Sequence, residues 1–417
     1  MTEKNKKILG YSVAGLLTVV AFAVLLWPSP PAEETLTDDS VLKTAGRLAE
    51  QYDYDTAVSL LQTTDAKLYQ KQIADYTNQK QELVKIESVT EIPHIFFHSL
   101  IVDPALAFHS EKASGYNQNM ATVDEFREML RQLYENHYVL VSEHDIAVEN
   151  QDGFTAGEIL LPKGKRPIII SQDDVNYYES MSGDGFATRM VVQDGKVLCE
   201  YQFSDGTTDI GQYDLVPVLD AFVEEHPDFS YHGAKAIIAV TGYEGAFGYH
   251  WKDNDKPGYS SEEAEAVTAV AECLRQSGYE IASHSYGHPA AGDISPAQLR
   301  ADTKDWEDYI QPAVGDTDIY IYPYGSDITS DVSQDSYNSL EKFEILYQAG
   351  YRYFLNVDNS KNAWVQISNR YVRQGRRDID GFRMYYYPAE MFDIFYNIDT
   401  IYDSSRPAVP SDFLNAY

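Results

Sequence analysis

The chain has 417 residues, with 32 Lys and Arg against 65 Asp and Glu, for a formal charge of −33. That balance argues against nucleic acid as a partner, because phosphate binding depends on basic clusters that release counterions. A hydrophobic fraction of 44% with 33 Tyr argues against wholesale disorder. The two cysteines, Cys199 and Cys273, sit in no CxxC pair and leave neither a disulfide framework nor a Cys-based metal site.

In chain order, residues 8–27 form an uncharged apolar stretch long enough to cross a lipid bilayer as a helix. Lys4, Lys6 and Lys7 precede it and keep the N-terminus in the cytoplasm under the positive-inside rule. Trp27-Pro28-Ser29-Pro30-Pro31 follows, with no small-x-small cleavage site, so an uncleaved signal anchor is expected over a cleaved signal peptide. The expectation is a single-pass protein of a bacterial cell membrane: residues 1–27 supply a cytoplasmic stub and anchor, and the remainder is extracellular. Residues 28–39, rich in Pro and acid, read as a linker. Residues 40–90 read as a short helical stalk or packing element, with Val41, Leu42, Ala45, Leu48 and Ala49 on one stripe and Ala57, Leu60 and Leu61 on the next. The turn between them resembles a tetratricopeptide-like hairpin, too short to be a repeat array.

Over residues 91–417 short apolar strands alternate with amphipathic helices. Strands are expected at 94–97, 138–141, 167–171, 235–240, 280–282, 318–322 and 353–357. Thr122 with Glu125 makes a capping box, Ser261 opens a helix that stops at Gly278, and Ser295-Pro296 places a cap and a first-turn Pro. A further helix, 340–348, ends before Gly350. This alternation implies an α/β fold with a parallel sheet, open or closed into a barrel. Gly-, Asp- and Thr-rich turns mark residues 178–214 as an insertion.

Reactive residues collect just past three expected strand ends, where α/β folds place active sites. In Ile170-Ser171-Gln172-Asp173-Asp174, adjacent carboxylates end a buried run and need partners or a metal; a solvated turn with Asn176 is the plainer alternative. In His284-Ser285-Tyr286-Gly287-His288-Pro289, Gly287 and Pro289 oppose a helix, so a loop clamping one metal is expected over a helical His pair. Two ordinary surface histidines are the alternative. Tyr322-Pro323-Tyr324-Gly325 makes a sharp turn that would aim a backbone N–H and a ring into a cleft. One Asp with two His is an open ligand set for Zn²⁺ or a related divalent ion, and the second Asp would act as a base.

In their order and context these motifs resemble the NodB-like polysaccharide deacetylases of carbohydrate esterase family four, over roughly residues 94–381. Phe96-Phe97-His98-Ser99 is similar to that family's opening strand. The resemblance implies a distorted (β/α) barrel with an incomplete set of strands. It implies that Asp173 is the general base and that Asp174, His284 and His288 hold a divalent metal, Zn²⁺ first, with Co²⁺, Mn²⁺ or Ni²⁺ as alternatives. The Tyr324 backbone N–H would stabilise the oxyanion as an activated water attacks the acetamide of an N-acetylated polysaccharide, of peptidoglycan, chitin-like or surface-glycan type.

The sequence departs from the family at three points. Val175 replaces the Gly after the paired acids, Ile321 stands where an Arg is usual, and no Leu-x-His supplies the general acid. Among Arg373, Arg376 and Arg377, Arg377 is expected to orient Asp173, and His98 is the candidate acid. Two other functions are carried forward: a non-catalytic glycan-binding module, and an esterase removing O-acetyl groups from xylan-like polymers.

Overall fold

The structure is a computed structural model that describes residues 38–250, 258–333, 335–360 and 363–410. The expected anchor at 8–27 and most of the expected linker lie outside the described residues. No described helix is long and apolar enough to cross a membrane. The linker ends sooner than expected, because Asp38 and Asp39 form the first turn of helix α1, Asp38–Glu50. The acidic side chain of Asp39 suits that position, where the helix dipole is positive.

Helices α1, α2 (Tyr54–Asp65) and α3 (Gln70–Glu82) form the N-terminal element. It is docked on the body of the protein and is not a free-standing stalk. Val41, Ala45, Ala49, Ala57 and Leu61 are buried in one cluster with Ile169, Ile237 and Ala282 of the barrel. The turn between α1 and α2 is pinned as well: Tyr52 Oη donates to the Asp228 carbonyl at 2.8 Å, and the His232 N–H donates to the Gln51 carbonyl at 2.8 Å.

Seven strands make the barrel: β1 (His94–Phe97), β2 (Arg166–Gln172), β3 (Ala236–Val240), β4 (Glu280–Ser283), β5 (Ile319–Ile321), β6 (Tyr353–Val357) and β7 (Val372–Asp378). All pair in parallel, each with the next in sequence, and β7 pairs with β1 to close the ring. Helices α4 (Val123–Glu135), α5 (Leu215–Glu225), α6 (Ser261–Gln276), α7 (Pro296–Tyr309) and α8 (Glu341–Gln348) cross between successive strands. The Thr122 and Ser295 caps form as expected, whereas Ser260, with Glu263, caps α6 in place of Ser261. Tyr138–Leu140 pairs with the first half of β2, beside β3, and bridges to Ser230, so it flanks the barrel wall.

Strand alternation sorts the side chains. Ile168 and Ile170 face the helical layer, where they meet Phe126, Leu130 and Leu219. Ile169, Ile237, Ile319 and Leu355 belong to the other cluster and fill the barrel. The seventh strand, Val372-Arg373-Gln374-Gly375-Arg376-Arg377-Asp378, is the one absent from the sequence reading, and every residue of it is buried. The insertion forms a three-stranded antiparallel sheet of Arg189–Gln193, Lys196–Gln202 and Thr208–Gly211.

Candidate active site

The loops after β2, β4 and β5 bring the three expected motifs together at the carboxyl end of the barrel. Past β2 the chain turns through Asp174, which adopts a left-handed φ of 56°, a conformation Asp tolerates better than most residues. The turn therefore needs no glycine at 175, and Val175 is wholly buried. Past β4, Ser285 (φ 62°) and His288 (φ 54°) curl the backbone into the expected loop, with the two imidazoles facing one another.

Asp174, His284 and His288 each present one ligand atom, all within 4.8 Å of one another. The two Nε2 atoms are 3.2 Å apart, and His288 Nε2 lies 3.8 Å from Asp174 Oδ1. Tetrahedral ligands at ~2.0–2.1 Å from a zinc ion would stand about 3.3 Å apart, so the set fits such an ion with little movement. His284 Nδ1–H donates to the Ile321 carbonyl at 2.9 Å, which leaves Nε2 as the ligand atom. Burial, partly offset by Asp174, lowers the His288 pKa to about 4, keeping the ring neutral and free to ligate. Tyr178 Oη donates to Asp174 Oδ1 at 2.7 Å and fixes that carboxylate. Nothing in the spacing of the sequence singled out Tyr178.

Asp173 stands beside this set, buried, with its Oδ2 4.0 Å from His284 Nε2. Burial alone would raise its pKa, but Arg376 and His284 outweigh that cost and hold it at about 2. The partner is Arg376, whose Nη1 and Nη2 donate to the two carboxylate oxygens at 2.8 and 2.9 Å. This corrects the expectation for Arg377. Adjacent residues of a strand point to opposite faces, so Arg377 leaves the barrel and pairs with Asp393 at 2.8 and 3.0 Å. Arg376 thus contributes the guanidinium that Ile321 cannot. Ile321 is packed in the barrel core, and its carbonyl holds His284.

Tyr324 sits at the tip of the turn after β5 in a left-handed conformation, φ 57°, and is 74% exposed. Its ring packs edge-on against His288, with centroids 4.5 Å apart, which places the turn at the rim of the metal site. Gly325 follows with φ 64°, and a Cβ there would lie 2.5 Å from the Val357 Cβ, so the turn requires glycine. His98, half-buried past the end of β1, bonds the Asn119 carbonyl through Nδ1 at 3.0 Å. It lies within electrostatic reach of Asp173, Asp174 and Asp380, which places it at the same mouth. Beside it lies a buried acid pair, in which burial and then Asp380 push the Asp378 carboxyl well up.

Residues 233–347 match the family model described as polysaccharide deacetylase. That stretch is a polysaccharide deacetylase domain. The match spans the His284–His288 loop and the Pro323-Tyr324-Gly325 turn and begins after the insertion that separates them from Asp173. The chain is similar to a Streptococcus pyogenes deacetylase, PplD, in complex with acetate, at 16% identity and a TM-score of 0.41, covering 75% of this chain and 99% of that one. It is also similar to BA0330 from Bacillus anthracis, assigned as a polysaccharide deacetylase, at 12% identity and a TM-score of 0.36, covering 72% of this chain and 66% of that one. No curated protein matches the chain in sequence. The domain is that of a hydrolytic enzyme.

Proposed function

We propose that the protein is a metal-dependent hydrolase that removes N-acetyl groups from an extracellular polysaccharide of the peptidoglycan, chitin-like or surface-glycan class. One observation carries this reading: a buried carboxylate, Asp173, is kept ionised by a two-pronged Arg376 and stands beside a metal-ligand set to which it need not contribute. Binding a glycan would not require that additional charge.

Asp174, His284 and His288 would hold the ion, which when bound polarises the acetamide carbonyl and makes a water acidic. Asp173 takes the proton of the attacking water, and Arg376 fixes the angle at which it does so. The Tyr324 backbone N–H, at the rim of the metal site, donates to the oxyanion. His98 delivers a proton to the departing amine, with Nδ1 occupied by the Asn119 carbonyl and Nε2 free to carry that proton. Acetate and a free amine are the products. The weaker case for a non-catalytic glycan binder rested on a missing Arg and a missing acid, and Arg376 and His98 occupy both roles in this reading. Secretion and membrane tethering rest on residues 8–27 alone.

The test is metal content together with acetate release from N-acetylglucosamine oligomers and from acetylated xylan. The wild type binds about one divalent ion and releases acetate from the oligomers, whereas Asp173→Asn keeps the ion and loses turnover by roughly 10²–10⁴-fold. A metal-free wild type, or an Asp173→Asn variant as fast as wild type, would overturn the mechanism. Release from xylan alone would move the same apparatus to ester substrates.

A further inference from the structure

We propose that the insertion at 178–214 builds a second sugar subsite, seating a neutral ring of the glycan beside the one whose acetamide is cleaved. The proposal rests on the deacetylase reading above and goes beyond it by naming the subsite and its ligand class. A cavity of about 500 Å³ lies between the insertion and the segment after β3, within the range of roughly 300–1,000 Å³ usual for small-ligand sites. Tyr178, Glu179, Thr188, Arg189, Glu200 and His250 line it. Tyr178 belongs to both sites: it lines the cavity, and its hydroxyl holds Asp174. One residue therefore joins the cavity to the metal set. On that side chain stacks Tyr243, 38% exposed, with ring centroids 5.1 Å apart and planes at 12°, an aromatic surface beside the mouth.

The cavity is pre-formed. Gly248 (φ 85°) lets the insertion strand approach so closely that a Cβ there would lie 2.3 Å from the Thr188 carbonyl oxygen. The Met190 N–H donates to the Phe247 carbonyl at 2.9 Å, and Tyr249 Oη donates to the Met190 carbonyl at 3.1 Å. Rigid walls of this kind reduce the entropy lost on binding.

Its polar groups are set for hydroxyls. Glu200 accepts from Arg189 Nη2 at 2.7 Å and from Thr188 Oγ1 at 2.8 Å. Arg189 Nε is buried with no hydrogen-bond partner among the described residues. A guanidinium and a carboxylate side by side match vicinal sugar hydroxyls, each of which both donates and accepts. Two carboxylates, Glu179 and Glu200, against one guanidinium oppose a uronate or a phosphate-bearing ring. The fit is to a neutral hexose or N-acetylhexosamine.

The test uses the full chain carrying Asp173→Asn, titrated calorimetrically with β-1,4-linked N-acetylglucosamine from monomer to tetramer. Affinity rises at least 10-fold from monomer to tetramer, and Arg189→Met and Glu200→Gln each abolish that gain, while Lys196→Ala, on the same insertion but away from the cavity, keeps it. Glu200→Gln preserves shape, so it remains informative if Arg189→Met fails to fold. Equal affinity at every length, retention of the gain in both variants, or tighter binding of a uronate-containing oligomer would each overturn the proposal. Acetate release by the wild-type chain, run in parallel, separates the two claims: no release from any oligomer removes the deacetylase reading, and the length dependence of binding still decides the subsite.

Discussion

Arg376 reaches Asp173 across β1, from the seventh strand to the second, and grips both carboxylate oxygens at 2.8 and 2.9 Å. Its guanidinium lies over the Phe96 ring at 4.3 Å and is wholly buried, so the pair is shielded from water and salt. Removing one partner of such a pair leaves an uncompensated buried charge, at a cost of roughly 3–5 kcal/mol. Arg376→Met is expected to destabilise the protein by that order and to abolish acetate release. Arg377→Met breaks a pair whose Asp393 is 45% exposed, and its loss is expected to be smaller with turnover retained. Urea unfolding and an acetate assay on both variants check this, and a larger catalytic loss in Arg377→Met would reverse the assignment.

The contrast between these neighbours shows where sequence reading stops. The metal set was legible because each ligand follows a β-branched or apolar strand, and polar groups in such places need a reason. The seventh strand was not, since its Arg, Gln and Asp residues hide the alternation that apolar residues reveal. Which Arg faces inward follows from register, and register depends on partners distant in sequence: Asp173 for Arg376, Asp393 for Arg377, and Asp327 for Arg373 at 2.8 Å. The cavity beside Tyr178 was illegible for the same reason, because its walls come from the insertion and from the segment after β3.

Ser171 connects Arg376 to a buried histidine. Its Oγ accepts from Arg376 Nη1 at 3.0 Å and lies 2.9 Å from His94 Nε2, while His94 Nδ1 lies 2.8 Å from Gln374 Oε1. Because that amide oxygen only accepts, His94 carries its proton on Nδ1 and accepts a hydrogen bond from the Ser171 hydroxyl at Nε2. Burial and the Arg376 charge lower the His94 pKa to about 3, so the ring is neutral in this arrangement. Ser171→Ala strands both neighbours, and a loss of about 1–3 kcal/mol is expected. Turnover should fall roughly 10-fold, equivalent to about 1.4 kcal/mol, with bound metal unchanged and with recovery in Ser171→Thr. An unaffected turnover number in Ser171→Ala would show that Arg376 needs no such support.

His98 offers a different readout, because a proton donor must be charged to act. In His98→Gln, kcat/KM is expected to fall by roughly 10²–10⁴-fold. Metal content should remain that of wild type. A variant with unchanged turnover and pH profile would remove His98 from the mechanism.

At the opposite end of the barrel His144 bridges two strands, with its Nδ1 on Glu280 and its Nε2 at 3.1 Å from Asp318. Ser142 Oγ also donates to Glu280, at 2.6 Å, and the Tyr353 ring meets the imidazole edge-on at 4.5 Å. Burial pulls the His144 pKa down, but Asp318 and Glu280 outweigh it and raise the value to about 11. The folded state therefore binds this proton more tightly than the unfolded chain, whose histidine titrates near ~6.5. The stabilisation is fully present below about pH 6.5 and is lost as pH rises toward 11. His144 is 45% exposed, so solvent screening reduces its size. The stability gap between wild type and His144→Gln is expected to narrow steadily in urea melts from pH 6 to pH 10. A gap that stayed constant would show that the bridge holds the strands by packing on Tyr353 and not by charge.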